Sequence, residues 1–221
     1  MRTTIAGSMT VLLFVVASGC THQRTVTPGY APQVVSAGLR PGSICPTGQV
    51  ITIAAVNLSG QGDSAGTTQA GVHTFEYRFG SDPAQTLKRG LEQALQAGGC
   101  RVGVPSAAKL AVGLLRIEAK GLSCGFSRCD GDGQSVVEVT LSDPSGRKLA
   151  QRTIISAAAK DCGMVICNED ETSGIASDLL TDTIKKTVAA FGPEIAKQLT
   201  ASAPATTPPP ATAQTATGPQ S

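Results

Sequence analysis

Aromatic residues, histidines and strong net charge are all scarce in this sequence. Phe, Tyr and Trp make up 3% of the 221 residues, Trp is absent, and there are two histidines. A core must therefore be built from Val, Ile, Leu and Ala. A formal net charge of +2 without a Lys/Arg run does not favour a nucleic-acid partner. No Walker loop, dinucleotide fingerprint or metal-spaced His pair occurs, so we expect no cofactor, no metal and no enzymatic activity.

The first 20 residues have the pattern of a processed export signal. Arg2 is followed by the apolar run 9–17, and Ser18 and Gly19 then precede Cys20. The run is well short of the roughly 20 residues that a membrane-spanning helix needs. An ordinary secretory signal with an incidental cysteine is the alternative interpretation.

The sequence Val-Ala-Ser-Gly-Cys at 16–20 resembles the lipobox of bacterial lipoproteins. This resemblance implies cleavage after Gly19, acylation of Cys20 and a stable lipid anchor in a membrane. In that family an Asp after the lipidated Cys retains the protein in the inner membrane. Thr21 occupies that position here, so the resemblance implies the outer membrane, with the protein facing the periplasm.

Six further cysteines remain, an even number that favours disulfides in an oxidising compartment. Two pairs have four residues between their members, Cys124 with Cys129 and Cys162 with Cys167, and they favour local bonds. Cys45 and Cys100 are left for a third bond. The chain-entropy estimate is about 2 kcal/mol for each short loop and about 4 kcal/mol for the long one. A zinc site made of the four closely spaced cysteines is the alternative.

Composition divides the chain into four parts. Residues 1–19 are the signal, and residues 20–44 are predicted to be the lipidated Cys and a flexible tether with an extended reach of about 75–80 Å. Residues 45–199 carry the apolar periodicity of one folded domain. Residues 200–221 are rich in Ala, Thr and Pro, lack charge, and are predicted to be disordered.

The periodicity predicts an α+β domain. A strand at 50–58 precedes a glycine-rich loop at 59–71, and strands follow at 72–79, 100–104, 110–122, 135–141 and 149–158. Asp82, Pro83 and Gln85 begin a helix that ends at Gly98-Gly99, and a second helix is predicted to break at Gly192-Pro193. The two helices each have an apolar face, and both faces can be buried against one face of a sheet. We therefore predict a two-layer sandwich, with a mainly antiparallel sheet of about five strands and two helices on one face.

Three segments are candidates for a site. Phe75, Tyr77 and Phe79 alternate along one strand, and they either cover the core or form a partner-binding face. Ser64 lies in a G-x-S-x-G pattern, but no helix is predicted after it and His73 is the one later histidine, so a flexible loop is favoured over a serine hydrolase. Asp130-Gly131-Asp132-Gly133 resembles the opening of a calcium loop, but Leu141 occupies the position of the last ligand, so a turn is favoured.

The lipobox, the strand at 50–58, the helix followed by GGCRV, the segment VEVTLSDPSGRKL and the closing helix occur in an order similar to YajG-type outer-membrane lipoproteins. The related domains of the curli-export channel lipoprotein and of the lipoprotein activators of penicillin-binding proteins share that order. The resemblance implies a structural or binding component of an envelope assembly, such as a secretion or motility machine. Its partners would be other envelope proteins or further copies of the chain. A tethered regulator of peptidoglycan synthesis is the alternative function.

Overall fold

Two β-sheets and three helices form the part of the chain that the structure describes. The structure is a computed structural model that describes residues 20–46, 48–121, 129–163 and 167–201. The elements are β1 (Cys20–Val26), α1 (Pro32–Ser36), β2 (Val50–Asn57), β3 (Ser64–Ala70), β4 (His73–Phe79), α2 (Pro83–Ala97), β5 (Arg101–Val102), β6 (Ala108–Gly121), β7 (Asp130–Ser142), β8 (Lys148–Asp161) and α3 (Glu169–Ala201).

Both sheets are mixed. The larger has the order β5-β2-β6-β7-β8, in which β2 is parallel to β5 and β6, and β6, β7 and β8 are antiparallel. The smaller has the order β1-β4-β3, with β1 parallel and β3 antiparallel to β4. The predicted α+β class is confirmed, but the prediction of a single, mainly antiparallel sheet with two helices is only roughly matched. The difference arises because β1 and β3 form from segments that were predicted to be a tether and a loop.

The local signals around α2 predicted that helix correctly. The Asp82 carboxylate accepts a hydrogen bond from the Ala84 N–H at 2.9 Å, and Pro83 occupies the first turn. The predicted apolar stripe is buried; its members are Ala84, Leu87, Leu91, Ala94 and Leu95. The helix ends at Ala97 with Gly98 as its C-cap, as expected from the Gly98-Gly99 pair.

The predicted break at Gly192-Pro193 is wrong, because α3 continues through both residues to Ala201. Proline inside a helix costs about 3 kcal/mol through a lost hydrogen bond and a steric clash. Phe191, Ile195 and Leu199 are buried on either side of it. Their burial offsets that cost and holds the last part of the helix against the domain. No helix in the described ranges is both long and apolar enough to cross a membrane.

Residues 20–44 are folded onto the domain, so the predicted flexible tether is wrong. Val26, Val35 and Ile44 are buried. Three backbone N–H groups of this segment donate to side chains of α3: Thr25 to Glu169 at 3.1 Å, Thr27 to Ser173 at 2.9 Å, and Ala31 to Thr181 at 2.9 Å. The segment has little apolar periodicity, and its partners lie about 150 residues further along the chain. Local sequence patterns therefore could not indicate that it packs on the domain.

Two further predictions based on glycine content, the loop at 59–71 and the turn at 130–133, are wrong. The loop predicted at 59–71 contains β3, which places β4 at the centre of its sheet rather than at an edge. Asp130 to Gly133, predicted to be a turn, lie within β7. A Cβ at Gly131 would come within 2.4 Å of Ile175 Cδ1, and one at Gly133 within 2.6 Å of Leu179 Cδ1. These two glycines allow α3 to lie close to the strand.

Candidate anchor and interaction surfaces

Cys20 differs from every other cysteine in the described part of the chain. It is the first residue of β1, it is exposed, and its thiol is free. Cys45 is bonded to Cys100 and Cys162 to Cys167, the pairs that the sequence predicted. Cys129 is also disulfide-bonded, and Cys124 lies outside the described residues. Because Cys162 and Cys167 are bonded to each other, they cannot act as thiolate ligands of the alternative zinc site.

Two disulfides fix the ends of helices to the rest of the fold. The Cys45–Cys100 bond joins the segment after α1 to the residue that follows α2, with Cα atoms 4.9 Å apart. The N–H groups of Ile44 and Cys45 both donate to the Gly98 carbonyl, at 3.0 and 3.2 Å. The Cys162–Cys167 bond closes the connection between β8 and α3. The folded domain therefore begins upstream of Cys45, at β1.

A cluster of ring and cationic side chains lies on β1 and β4 close to Cys20. The parallel register pairs Cys20 with His73 and His22 with Phe75. His22 Nε2 lies 3.0 Å from His73 Nδ1, and the His22 ring stacks on the Phe75 ring with centroids 5.1 Å apart. The Arg24 guanidinium lies 5.9 Å from the Phe75 centroid, within the range of a cation–π contact. We call His22, Arg24, His73 and Phe75 the β1–β4 cluster.

The predicted partner face is wrong for two of its three residues. Tyr77 is fully buried and Phe79 is 7% exposed, so both belong to the core. Burial raises the pKa of the Tyr77 phenol, and the Gly121 backbone and Arg24 oppose that rise in part. Only Phe75 remains partly accessible, and His22 and Arg24 cover it. The alternative interpretation, that this strand covers the core, fits Tyr77 and Phe79.

Ser64 and His73 lie at opposite ends of the β3–β4 hairpin. Ser64 pairs with Arg78, whereas His73 pairs with Ala70. Six residues of strand separate Ser64 from Ala70, a distance of about 20 Å at the usual rise per residue. Asp63, next to Ser64, forms an ion pair with Arg78 at 3.3 Å. The G-x-S-x-G pattern is therefore not brought together with a histidine.

The sequence did not reveal an apolar patch on the face of the large sheet opposite the helices. Val56 and Leu58 are each more than half exposed. A shallow groove of about 240 Å³ surrounds them; its other lining residues are Ala54, Ala111, Val112, Gly113, Glu138 and Thr140. We call this the open-face patch. A short, continuously apolar strand has the same sequence pattern whether one or both of its faces are buried. Periodicity alone therefore could not predict the open-face patch.

A second groove lies between residues 35–44 and α3. Its volume is about 560 Å³. Val35, Leu39 and Ile44 line one side, and Val188 and Pro193 of α3 line the other. Lys185 supplies the one charged side chain in its lining. The groove forms because the segment predicted to be a tether packs against α3.

Comparisons with known proteins place the fold but not a family. No family model matches the sequence, and a comparison with curated proteins gives no match. The chain is similar to the solved structure of protein XCC0632 from Xanthomonas campestris, of the family model DUF330, with a TM-score of 0.50 and 15% identity over 80% of this chain and 98% of that one. That similarity shows a shared fold.

Two other solved structures are less similar to the chain. One is a candidate lipoprotein from Caulobacter crescentus, with a TM-score of 0.39 and 16% identity over 77% of this chain and 98% of that one. The other is a minor lipoprotein from Acinetobacter baumannii, with a TM-score of 0.37 and 11% identity over 68% and 92% of the two chains.

Proposed function

We propose that the protein is a lipoprotein anchored through Cys20 to the periplasmic side of the outer membrane, where it is a structural or binding component of a multi-protein envelope assembly. One observation carries this proposal. Among the cysteines that the structure describes, Cys20 alone has a free and exposed thiol, and it directly follows the lipobox-like residues. A thiol left out of the disulfides at the start of the domain is suited to acylation.

The surroundings of Cys20 support a membrane-facing end of the domain. Cys20 pairs with His73, and Val72, in the turn just before His73, is 70% exposed. An acyl chain on Cys20 would bring Val72 to the membrane interface, where burial of an apolar side chain is favourable. Because β1 begins at Cys20, the folded domain would lie directly on the membrane.

Partner binding is assigned to the open-face patch rather than to the strand predicted from sequence. Val56, near the end of β2, and Leu58, just after it, expose apolar surface beside β6. Exposed apolar patches of this kind are typical of protein–protein contacts. A secretion or motility machine, as the resemblance to YajG-type and curli-export lipoproteins implies, offers partners for such a surface.

The packing of residues 20–44 weakens the alternative function. A regulator of peptidoglycan synthesis of the predicted kind would need the long reach of a flexible tether. Val26, Val35 and Ile44 are instead buried in the domain. We therefore favour the envelope assembly, and we find no support for a hydrolase that uses Ser64.

Lipidation is tested by intact-mass measurement and detergent-phase partitioning of the protein made in a Gram-negative host. We expect a mature chain that begins at Cys20, carries acyl chains and enters the detergent phase, whereas Cys20→Ser stays unacylated. Thr21→Asp, at an exposed strand position, should move the protein from the outer to the inner membrane fraction. A wild-type protein without acyl chains, free in the periplasm, would contradict the proposal.

Assembly is tested by cross-linking in cells. Val56→Asp together with Leu58→Asp should remove the cross-linked species that the wild type forms. Val104→Asp is the matched control, because Val104 is 82% exposed but outside the open-face patch. Equal cross-linking in all three proteins would contradict the assignment of the patch, and a wild type that gives monomer alone would contradict the assembly.

A further inference from the structure

The fold brings the two histidines of the chain together. His22 and His73 are 51 residues apart in the sequence, yet His22 Nε2 and His73 Nδ1 are 3.0 Å apart. They meet because β1 and β4 pair in parallel with Cys20 opposite His73. Both side chains are exposed, so the space beside the two nitrogens is open to solvent. Neutral imidazole nitrogens are common ligands of transition metals.

We propose that His22 and His73 form a binding site for a divalent transition-metal ion, with Cu²⁺ the preferred ion. His22 Nε2 and His73 Nδ1 would supply two ligands on adjacent corners of a tetragonal site, and water would supply the others. Copper is preferred because it stands highest in the affinity order of divalent first-row ions for nitrogen ligands.

The separation of the two nitrogens supports this geometry. With metal–nitrogen bonds of about 2.0–2.1 Å, a separation of 3.0 Å corresponds to an angle at the metal of about 95°. Adjacent ligands of a tetragonal Cu²⁺ ion need about 90°, whereas a tetrahedral Zn²⁺ ion needs about 109° and a separation of about 3.4 Å. The separation of the two nitrogens therefore suits Cu²⁺ better than tetrahedral Zn²⁺, and the rings need to turn from the hydrogen bond toward the ion.

Binding requires a change of tautomer but no net release of a proton. In the neutral pair, one ring N–H lies between the two nitrogens and donates to the other ring. A metal ion in that place needs a lone pair from both rings. The proton then moves to the other nitrogen of its own ring, which gives two neutral imidazoles that both face the ion.

The surrounding side chains orient His22 without blocking the pair. The His22 ring stacks on Phe75 with an angle of 20° between the planes, which limits its rotation. The Arg24 guanidinium lies 5.9 Å from the Phe75 centroid on a half-buried side chain, and salt limits the reach of its charge to about 8 Å. In the acylated protein the Cys20 sulfur would be a thioether, so the site depends on the histidines alone.

An ion held by both histidines would join β1 to β4. Within the described residues, β1 is at the edge of its sheet and is paired on one side only. A ligand that binds the folded state alone raises its stability by mass action. We expect Cu²⁺ at about 100 times its dissociation constant to raise the melting temperature by about 5 °C or more.

The test uses the full-length protein without a polyhistidine tag, purified in detergent and titrated with CuCl₂ in the presence of a weak chelator. We expect one Cu²⁺ per chain, with hyperfine coupling to two imidazoles in pulsed EPR spectra. His22→Gln and His73→Gln should each lower the affinity by more than about tenfold, because even the outer partners of a metal ligand are worth 10–100-fold. Gln23→Ala is the matched control and should bind normally, because Gln23 is the exposed residue next to His22 on β1.

Two measurements separate metal binding from a structural role of the histidines. The copper-dependent rise in melting temperature should disappear in both histidine variants, whatever their melting temperatures without copper. Pulsed EPR of the wild type needs no variant and would overturn the proposal if it showed no imidazole coupling or only one imidazole. A large loss of affinity in Cys20→Ser would also overturn it, because a sulfur ligand would then carry the site.

Discussion

Replacing Ile44 by alanine tests whether the segment after Cys20 is part of the folded domain. Ile44 is 4% exposed and lies where the end of α2 meets α3. A Cβ placed on Gly98 would come within 2.6 Å of Ile44 Cδ1, and one on Gly192 within 3.7 Å. The side chain therefore fills the space that these two glycines leave.

The expected cost follows from the atoms that are removed. Ile44→Ala deletes three carbon atoms, each worth about 0.8 kcal/mol when buried, or about 2.4 kcal/mol together. A cavity adds to this cost, but Ile44 also lines the groove beside α3, so part of the new space opens to solvent. We expect the free energy of unfolding to fall by about 2.5–3 kcal/mol.

Urea denaturation followed by far-UV circular dichroism, with the disulfides intact, measures this change. Val34→Ala is the matched control, since Val34 is an apolar residue of the same segment but is 43% exposed; we expect a loss of less than about 1 kcal/mol. Similar small losses in both variants would refute the reasoning and restore a flexible tether.

A double-mutant cycle makes the test sharper. Gly98 has φ −76° and ψ 2°, which alanine can adopt, so the cost of Gly98→Ala comes from the contact with Ile44. The Ile44→Ala background removes Cδ1 and Cγ1, the two nearest atoms, and leaves Cβ at 3.1 Å. We expect a coupling free energy of about 1–2 kcal/mol between the two substitutions. Additive effects would contradict the contact.

Three further predictions concern other parts of the fold. Replacing both cysteines of the Cys45–Cys100 bond by alanine should lower the free energy of unfolding by about 4 kcal/mol, and the same change at Cys162–Cys167 by about 2 kcal/mol. The difference follows from sequence separations of 55 and 5. Equal losses in urea denaturation would contradict this loop-length argument. Gly90→Ala should destabilise the protein, because the new Cβ would lie within 2.2 Å of Ile184 Cδ1, and Ile184→Val should recover part of the loss in thermal melts; a stabilised single variant would contradict the packing. The Ser145 hydroxyl, followed by the backbone and side chain of Arg147, lowers the pKa of Asp143, so its contribution to stability is present above the ordinary pKa of about 3.9 and is lost as the pH falls through the lowered value. Asp143→Asn should therefore be less stable than the wild type at pH 7, and the difference should shrink as the pH falls through the lowered value. A difference that does not change with pH would contradict the assignment.

Features that depend on neighbouring residues could be predicted from the sequence. The first long helix was located by Asp82, Pro83 and Gly98, all within or beside it. The lipobox-like residues likewise predict lipidation of Cys20 from its neighbours, and this stays a prediction. The strands β2, β6, β7 and β8 were found because their apolar residues alternate or run together over short distances.

Features that depend on distant partners could not be predicted. Strand β1 pairs with β4 about 50 residues further along the chain, and its sequence carries little apolar periodicity. Strand β3 forms a local hairpin with β4, but its sequence is polar and rich in small residues and also lacks that periodicity. Gly131 and Gly133 have the sequence pattern of a turn, but in the fold their missing side chains leave space for α3 to pack against β7. The contact between His22 and His73 follows from the parallel pairing of β1, so a prediction that lacked β1 also lacked the site.

The parallel pairing of β1 with β4 also sets how the domain resists force. Seven positions of β1 are paired with β4, so a pull on Cys20 that is directed along β1 acts on all seven pairs. The ladder hydrogen bonds lie across this direction, so they are loaded together in shear instead of opening one after another. For the anchor at Cys20 that we propose, a pull in this direction would meet the greatest resistance of the small sheet.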